Sequence, residues 1–237
     1  EKKMGIIYGK NPVLEAISSG TTINKIYAQT SNKEIDSVIK EALKRKIIVV
    51  NTDKQKLDKM IDGKNSQGII ASITDFKYSE VSEIIEYAKS KNESPFIVIL
   101  DKIEDPHNLG AIIRSCECMG VHGVIIQKRN ACQITDTVEK VAAGACSYVK
   151  VARVTNITES IKELKKNGLW IYGLDMNGES EVYNTKLEGA IGIVVGNEGS
   201  GISRLVKENC DALMKIPMTG KINSLNASVS VAITIYE

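Results

Sequence analysis

The sequence predicts an α/β protein with a mainly parallel sheet, divided into two domains. Three observations predict it. Short apolar, β-branched runs at 96–100, 123–127 and 191–195 read as strands buried on both faces. Amphipathic stretches at helical spacing lie between them, and that alternation implies parallel strands joined by crossover helices. A polar stretch over 77–95, closed by Pro95, separates two such alternating sets and reads as a linker. The domains are therefore expected at 1–76 and 96–237.

The first set opens on the turn Tyr8-Gly9-Lys10-Asn11-Pro12, which leads into a short helix over 13–18. Strands are expected at 25–28, 47–50 and 68–73. The stretch 32–46 places Ile35, Val38, Ile39, Ala42 and Leu43 on one helical face. Asp53 is a natural N-cap for a helix over 53–61. Lys10, Asn11, Lys33, Lys64, Asn65 and Gln67 collect in turns. They are either solvated loops or contacts to a phosphate backbone.

In the linker, only 81–88 has a helical pattern. The second set begins with the strand at 96–100 and a loop over 101–107. A helix then opens at Asn108 and runs to about residue 119. Strands follow at 123–127, 148–151 and 170–174, separated by helices at 135–143 and 156–167, the latter ended by Gly168. The run at 191–195 is the next strand, followed by a glycine loop and a helix over 202–209. A strand at 213–216, a polar loop over 218–226 and a helix from Ala227 complete the chain. Neither end has the look of a natural terminus, so the natural chain is expected to continue beyond both.

Bulk properties exclude several classes. Of 237 residues, a quarter are charged and the net charge is only +2, which gives no strongly basic nucleic-acid signature. No apolar run approaches the roughly 20 residues that span a bilayer, so no membrane role is expected. Five cysteines form no C-x-x-C pair and the two histidines lie elsewhere, so no metal site is expected. The thiols read as reduced packing groups in a cytoplasmic protein. Cys116 and Cys118, two apart on one helix, should point in different directions.

Three loops carry residues suited to chemistry, each after a buried strand. The first holds Asp105, His107, Asn108 and Arg114. The second is Gly196-Asn197-Glu198-Gly199-Ser200-Gly201, spaced G-x-x-G-x-G, which is neither a dinucleotide fingerprint nor a P-loop. The third runs from Ile216-Pro217-Met218 to Ser224-Leu225-Asn226-Ala227-Ser228. Loops at the carboxyl ends of parallel strands share one edge, so the three can converge. The residues alone leave bland readings open. Arg114 can pair with Glu117 one turn on, Asn108 can be a simple N-cap, Glu198 can be a solvated carboxylate, and Asn226 and Ser228 can cap the last helix.

The pattern Asn108-x-Gly110-x-x-x-Arg114, then Gly196-Asn197-Glu198-Gly199, then Ile216-Pro217-Met218 with Ser224-Leu225-Asn226-x-Ser228, resembles the three motifs of the SpoU family of RNA ribose 2′-O-methyltransferases, within the SPOUT superfamily. The likeness is greatest to the 23S ribosomal RNA guanosine branch and covers essentially the whole chain. Ala227 stands where a larger β-branched residue is usual. The resemblance implies a SPOUT catalytic domain with a deep C-terminal trefoil knot, and a small L30e-like first domain that binds the RNA substrate. It implies S-adenosylmethionine as cofactor, held by backbone at Gly196, Ile216 and Leu225, and a homodimer packed through the catalytic domains. Asn108, Arg114, Glu198, Ser224 and Asn226 would be the catalytic set. A guanidinium stays protonated at ordinary pH, so a grip on an RNA phosphate suits Arg114 better than a role as base. Two alternatives keep part of this reading: transfer RNA or another ribosomal nucleotide as substrate, and a ribosomal RNA-binding or assembly factor without catalysis.

Overall fold

A computed structural model describes residues 5–74, 76–221 and 224–237 of the chain. The chain divides into two compact units, Glu1–Lys77 with Ile134–Asp136, and Tyr78–Gln133 with Thr137–Glu237.

The first unit runs β1 (Gly5–Tyr8), α1 (Lys10–Ser19), β2 (Ile23–Ala28), a 3-10 turn (Lys33–Ile35), α2 (Asp36–Lys44), β3 (Val49–Asn51), α3 (Lys54–Met60) and β4 (Ile69–Ile73). Its sheet has the order β1-β4-β2-β3 and is mixed. β4 runs antiparallel to β1 and β2, and β3 runs parallel to β2. The unpredicted strand is β1, a four-residue run too short to show a period. The helix expected over 32–46 begins instead as the 3-10 turn, because the Asn32 side chain accepts the Glu34 N–H. Asp53 caps α3 as its position suggests, accepting the Lys56 N–H at 2.9 Å. Val13, Ile17, Ile26, Val38 and Ile69 meet in one core cluster.

The second unit follows with α4 (Val81–Ser90), β5 (Phe96–Asp101), α5 (Pro106–Cys118), β6 (Gly123–Gln127), α6 (Asp136–Val141), β7 (Lys150–Val154), α7 (Ile157–Lys166), β8 (Trp170–Leu174), β9 (Ser180–Glu181), β10 (Ile191–Gly196), α8 (Arg204–Asn209), β11 (Ala212–Lys215) and α9 (Ala227–Tyr236). Short 3-10 turns at Ala145–Ser147 and Val182–Asn184 interrupt the connections. Its seven-stranded sheet has the order β7-β6-β5-β10-β8-β11-β9, and each of its pairings is parallel. This is the mainly parallel α/β fold that the alternation predicts. β10 is buried along its whole length, as a continuous apolar strand with neighbours on both sides should be. β9 is a two-residue strand with no sequence signal.

Residues 77–95 are not an open connection. They contain α4, which buries Val81, Ile84, Ile85 and Ala88 and packs in the cluster that holds Ile97, Ile99, Ile125 and Ile171. Apolar residues at helical spacing outweigh the polar composition, and a capping box between Glu80 and Glu83 fixes where the helix starts.

β10 is inserted between β5 and β8, and this placement builds the edge where the motif loops gather. It sets Gly196 opposite Asp101 at the carboxyl ends of neighbouring strands. The loops after β5, β8, β10 and β11 therefore open at one edge of the sheet.

Candidate functional site

α5 brings the first set of residues to that edge. It starts two residues earlier than the sequence suggests. Asp105 is the N-cap and accepts the Asn108 N–H at 2.8 Å, and Pro106 occupies the first turn. Asn108 is therefore inside the helix, with its side chain released from capping. The Asp-Pro pair was the signal that could have located this start, since Pro is pre-organised for the first helical position. Gly110 lets α5 approach its neighbour closely, because a Cβ there would lie 2.6 Å from the Val141 Cβ.

The second loop closes tightly on itself. The Gly201 N–H donates to the Asn197 carbonyl at 2.8 Å, and the Gly199 N–H donates to Asn197 Oδ1 at 2.9 Å. A Cβ on Gly196 would sit 2.1 Å from the Gly201 carbonyl carbon and 2.3 Å from the Ile202 nitrogen. The missing side chain of Gly196 thus makes room for the loop's own returning chain.

The third loop ends at α9. Asn226 is its N-cap, with Oδ1 accepting from Ser228 N–H at 2.9 Å and from Ser228 Oγ at 2.6 Å. Ile216 and Leu225 are half-buried and Ser224 is exposed.

The three loops meet at Glu198. Its Oε1 accepts from Asn108 Nδ2 at 3.1 Å, from Asn226 Nδ2 at 2.7 Å and from the Ala227 N–H at 3.1 Å. Asn226 Nδ2 also donates to Asn108 Oδ1 at 2.9 Å, which closes a triangle. Residues 90 and 118 positions from Asn108 are thereby tied to it. The first turns of α5 and α9 both face this carboxylate, and the positive end of a helix dipole favours negative charge there. Charge-assisted hydrogen bonds of this kind are the stronger ones. Glu198 is thus the joint of the three loops rather than a free solvated side chain, while Asn226 does two jobs, capping α9 and bonding Asn108 and Glu198.

Of the five side chains singled out as catalytic, the structure joins Asn108, Glu198 and Asn226. Arg114 and Ser224 stand apart from that triangle. Arg114 lies six residues, or about 9 Å, further along α5. It is exposed, and it makes no ion pair with Glu117 or any other described residue. The sequence reading gave no role of their own to Asp101, Asn197 and Asp175. Asp101 is fully buried at the end of β5 and accepts the Ser203 N–H at 2.7 Å. Asp175 follows β8 and pairs with Lys207. Burial works against its charge, but the Lys207 ammonium and the Asn177 amide together hold it below the usual carboxylate range.

Burial pushes the Cys116 thiol up, and the Cys132 and Cys210 thiols up to about 12, which disfavours a thiolate nucleophile. Cys118 is exposed on the same helix that buries Cys116. Among the described residues no group of acidic, His and Cys side chains is arranged to hold a metal ion, and no helix is long and apolar enough to cross a membrane.

A cofactor lodged at this edge would find main chain, the carboxamides of Asn108 and Asn226, and the Glu198 carboxylate. The residues present suit a ligand gripped largely through backbone, with Ile216 and Leu225 on the stretch between β11 and α9. Gly196 contributes by shaping the loop.

Residues 95–236 match the SpoU rRNA Methylase family, and residues 6–79 match a domain described as RNA 2′-O ribose methyltransferase substrate binding. A Bacillus subtilis (strain 168) protein provisionally named TrmH family tRNA/rRNA methyltransferase YacO is 40% identical over 233 residues, covering 98% of this chain and 93% of that one. An AdoMet-bound rRNA methyltransferase from Sinorhizobium meliloti superposes with a TM-score of 0.62 at 20% identity, covering 98% of this chain and 85% of that one. The SpoU methyltransferase AviRb from Streptomyces viridochromogenes, in complex with AdoMet, gives a TM-score of 0.62 at 19% identity over 98% of this chain and 87% of its own. With three motif loops gathered on one carboxylate and a family match across both units, the chain belongs to the SpoU rRNA methylase family.

Proposed function

We propose that this chain transfers a methyl group from S-adenosylmethionine to the ribose 2′-hydroxyl of a guanosine in 23S ribosomal RNA. The observation that carries the reading is the triangle of Asn108, Glu198 and Asn226, which unites the three motif loops at the ligand-binding edge of a parallel sheet. Main chain at Gly196, Ile216 and Leu225 would hold the cofactor in a knotted pocket. The cofactor supplies an already activated methyl group on a sulfonium. The chain's own residues must then mainly align the hydroxyl and help it lose its proton. Arg114, exposed and without a partner among the described residues, grips an RNA phosphate beside the target ribose. Asn108 orients that ribose from the same helix. Ser224 and Asn226 hydrogen-bond the methionine portion or the reacting ribose, and Glu198 fixes both carboxamides.

The first unit is read as the domain that binds the RNA substrate, which its match over 6–79 supports. The enzyme works as a homodimer through the second unit. α9, apolar apart from Ser228, Ser230 and Thr234, leaves Val229, Ile233 and Tyr236 exposed at i, i+4 and i+7, a stripe suited to a second copy. A monomer by light scattering at micromolar concentration would contradict this. Transfer RNA is the second substrate reading, favoured by the tRNA/rRNA wording in the name of the Bacillus relative.

Calorimetry with S-adenosylmethionine tests the enzyme reading first. Saturable one-site binding is expected. Absence of binding by a folded protein would favour a non-catalytic RNA-binding factor.

A further inference from the structure

Glu198 is an exposed side chain, so packing does not hold its carboxylate in place. Its alignment with Asn108 and Asn226 depends on how the backbone presents it. Asn197 controls that presentation. Its Nδ2 donates to the Lys102 carbonyl at 3.1 Å, which ties the loop to the end of β5. Its Oδ1 accepts the Gly199 N–H at 2.9 Å, and its carbonyl accepts the Gly201 N–H at 2.8 Å. Both chain neighbours of Glu198 are thus fixed by one side chain. The Lys102 carbonyl is itself aimed by an unusual backbone, with φ at +61°, and the Lys102 N–H is held by Gln127 Oε1 at 3.1 Å.

Asp101 secures the other end of the same loop. Its Oδ2 accepts the Ser203 N–H, while its Oδ1 is buried with no hydrogen-bond partner among the described residues. A buried carboxyl group with one bare oxygen does not favour stability. Among the described residues, the one hydrogen bond its side chain makes goes to the loop that carries Glu198.

We infer that Asn197 is a positioning residue that acts through Glu198, with Asp101 anchoring the far end of the loop; this rests on reading the site as a methyl-transfer centre. Deleting the Asn197 side chain removes the clamp while leaving every proposed catalytic group in the chain. Misplacement of about 1 Å is enough to cost orders of magnitude in such a reaction.

The test is a double-mutant cycle on single-turnover transfer of labelled methyl to unmodified ribosomal and transfer RNA. It compares the wild type, Asn197→Ala, Glu198→Gln and the double variant, with cofactor affinity and Tm measured alongside. Asn197→Ala is expected to slow transfer by about tenfold or more, with cofactor affinity unchanged within about threefold. Because it acts through Glu198, the double variant should be no more than about twofold slower than the slower single variant. Wild-type rates for Asn197→Ala, or losses that multiply in the double variant, would overturn the inference. If Asn197→Ala does not fold, Asn197→Asp serves in the same cycle. It keeps the acceptor for the Gly199 N–H and sets an oxygen against the Lys102 carbonyl. A wild-type protein that transfers no methyl group would instead overturn the methyl-transfer reading, and this inference with it.

Discussion

Arg114 is the residue on which the division of labour turns. It is exposed on α5, unpaired among the described residues, and about 9 Å along the helix axis from Asn108. A phosphate grip predicts that Arg114→Ala keeps cofactor binding and loses methyl transfer by about 100-fold or more, as expected when a bidentate contact that places the nucleophile is removed. Calorimetry and a transfer assay on the same preparation check this. Loss of both together would count against the grip. Glu198 shows what a sequence conceals at this scale. A carboxylate among glycines is read from the sequence equally as solvated or as an acceptor for Asn108 or substrate, and only the folded chain reveals that amides from both α5 and α9 converge on it. Asn108 is the converse case. An asparagine opening an apolar stretch reads as a cap, but the Asp105-Pro106 pair before it takes that role and frees it for the site.

At the scale of elements, the loop after β10 is held by close approach rather than by side-chain packing. Gly196→Ala would force a Cβ against the Gly201 and Ile202 backbone, which cannot yield as a flexible side chain would. It should destabilise the fold by about 1–3 kcal/mol and lower Tm by at least about 2 °C. Thermal unfolding checks it, and an unchanged Tm would contradict the tight closure. α8 is anchored in a different way, by Lys207 on Asp175 at the end of β8. Because Asp175 is held below its ordinary 3.8, its pairing stabilises the fold above that pH and stops doing so as pH falls through the depressed value. Lys207→Met should therefore have a lower Tm than wild type at pH 7, and the gap should close below about pH 3.8. A gap that persists in acid would mean that the lysine acts through packing alone. Most elements of the second unit were legible because buried parallel strands write themselves as apolar runs. α4 was legible as the helical pattern at 81–88, but the polar composition around it read as a linker, and β1 and β9 were too short to carry a period.

For the whole molecule, the alternation of strands and helices was enough to reach the α/β class, but not the strand order. Placing β10 between β5 and β8 requires knowledge of which non-consecutive strands pair, and that is fixed by packing across the sheet rather than by any local pattern. It is this order that makes neighbours of loops some 90 residues apart in sequence. The same order underlies the proposed activity, since without it the three motifs would not form one site. The decisive measurement is transfer of labelled methyl from S-adenosylmethionine to unmodified 23S ribosomal RNA, with the labelled nucleotide then mapped. Label is expected on a ribose 2′-oxygen of a guanosine and should be lost with Arg114→Ala; label on a base, or no label in the RNA despite bound cofactor, would contradict the proposed activity.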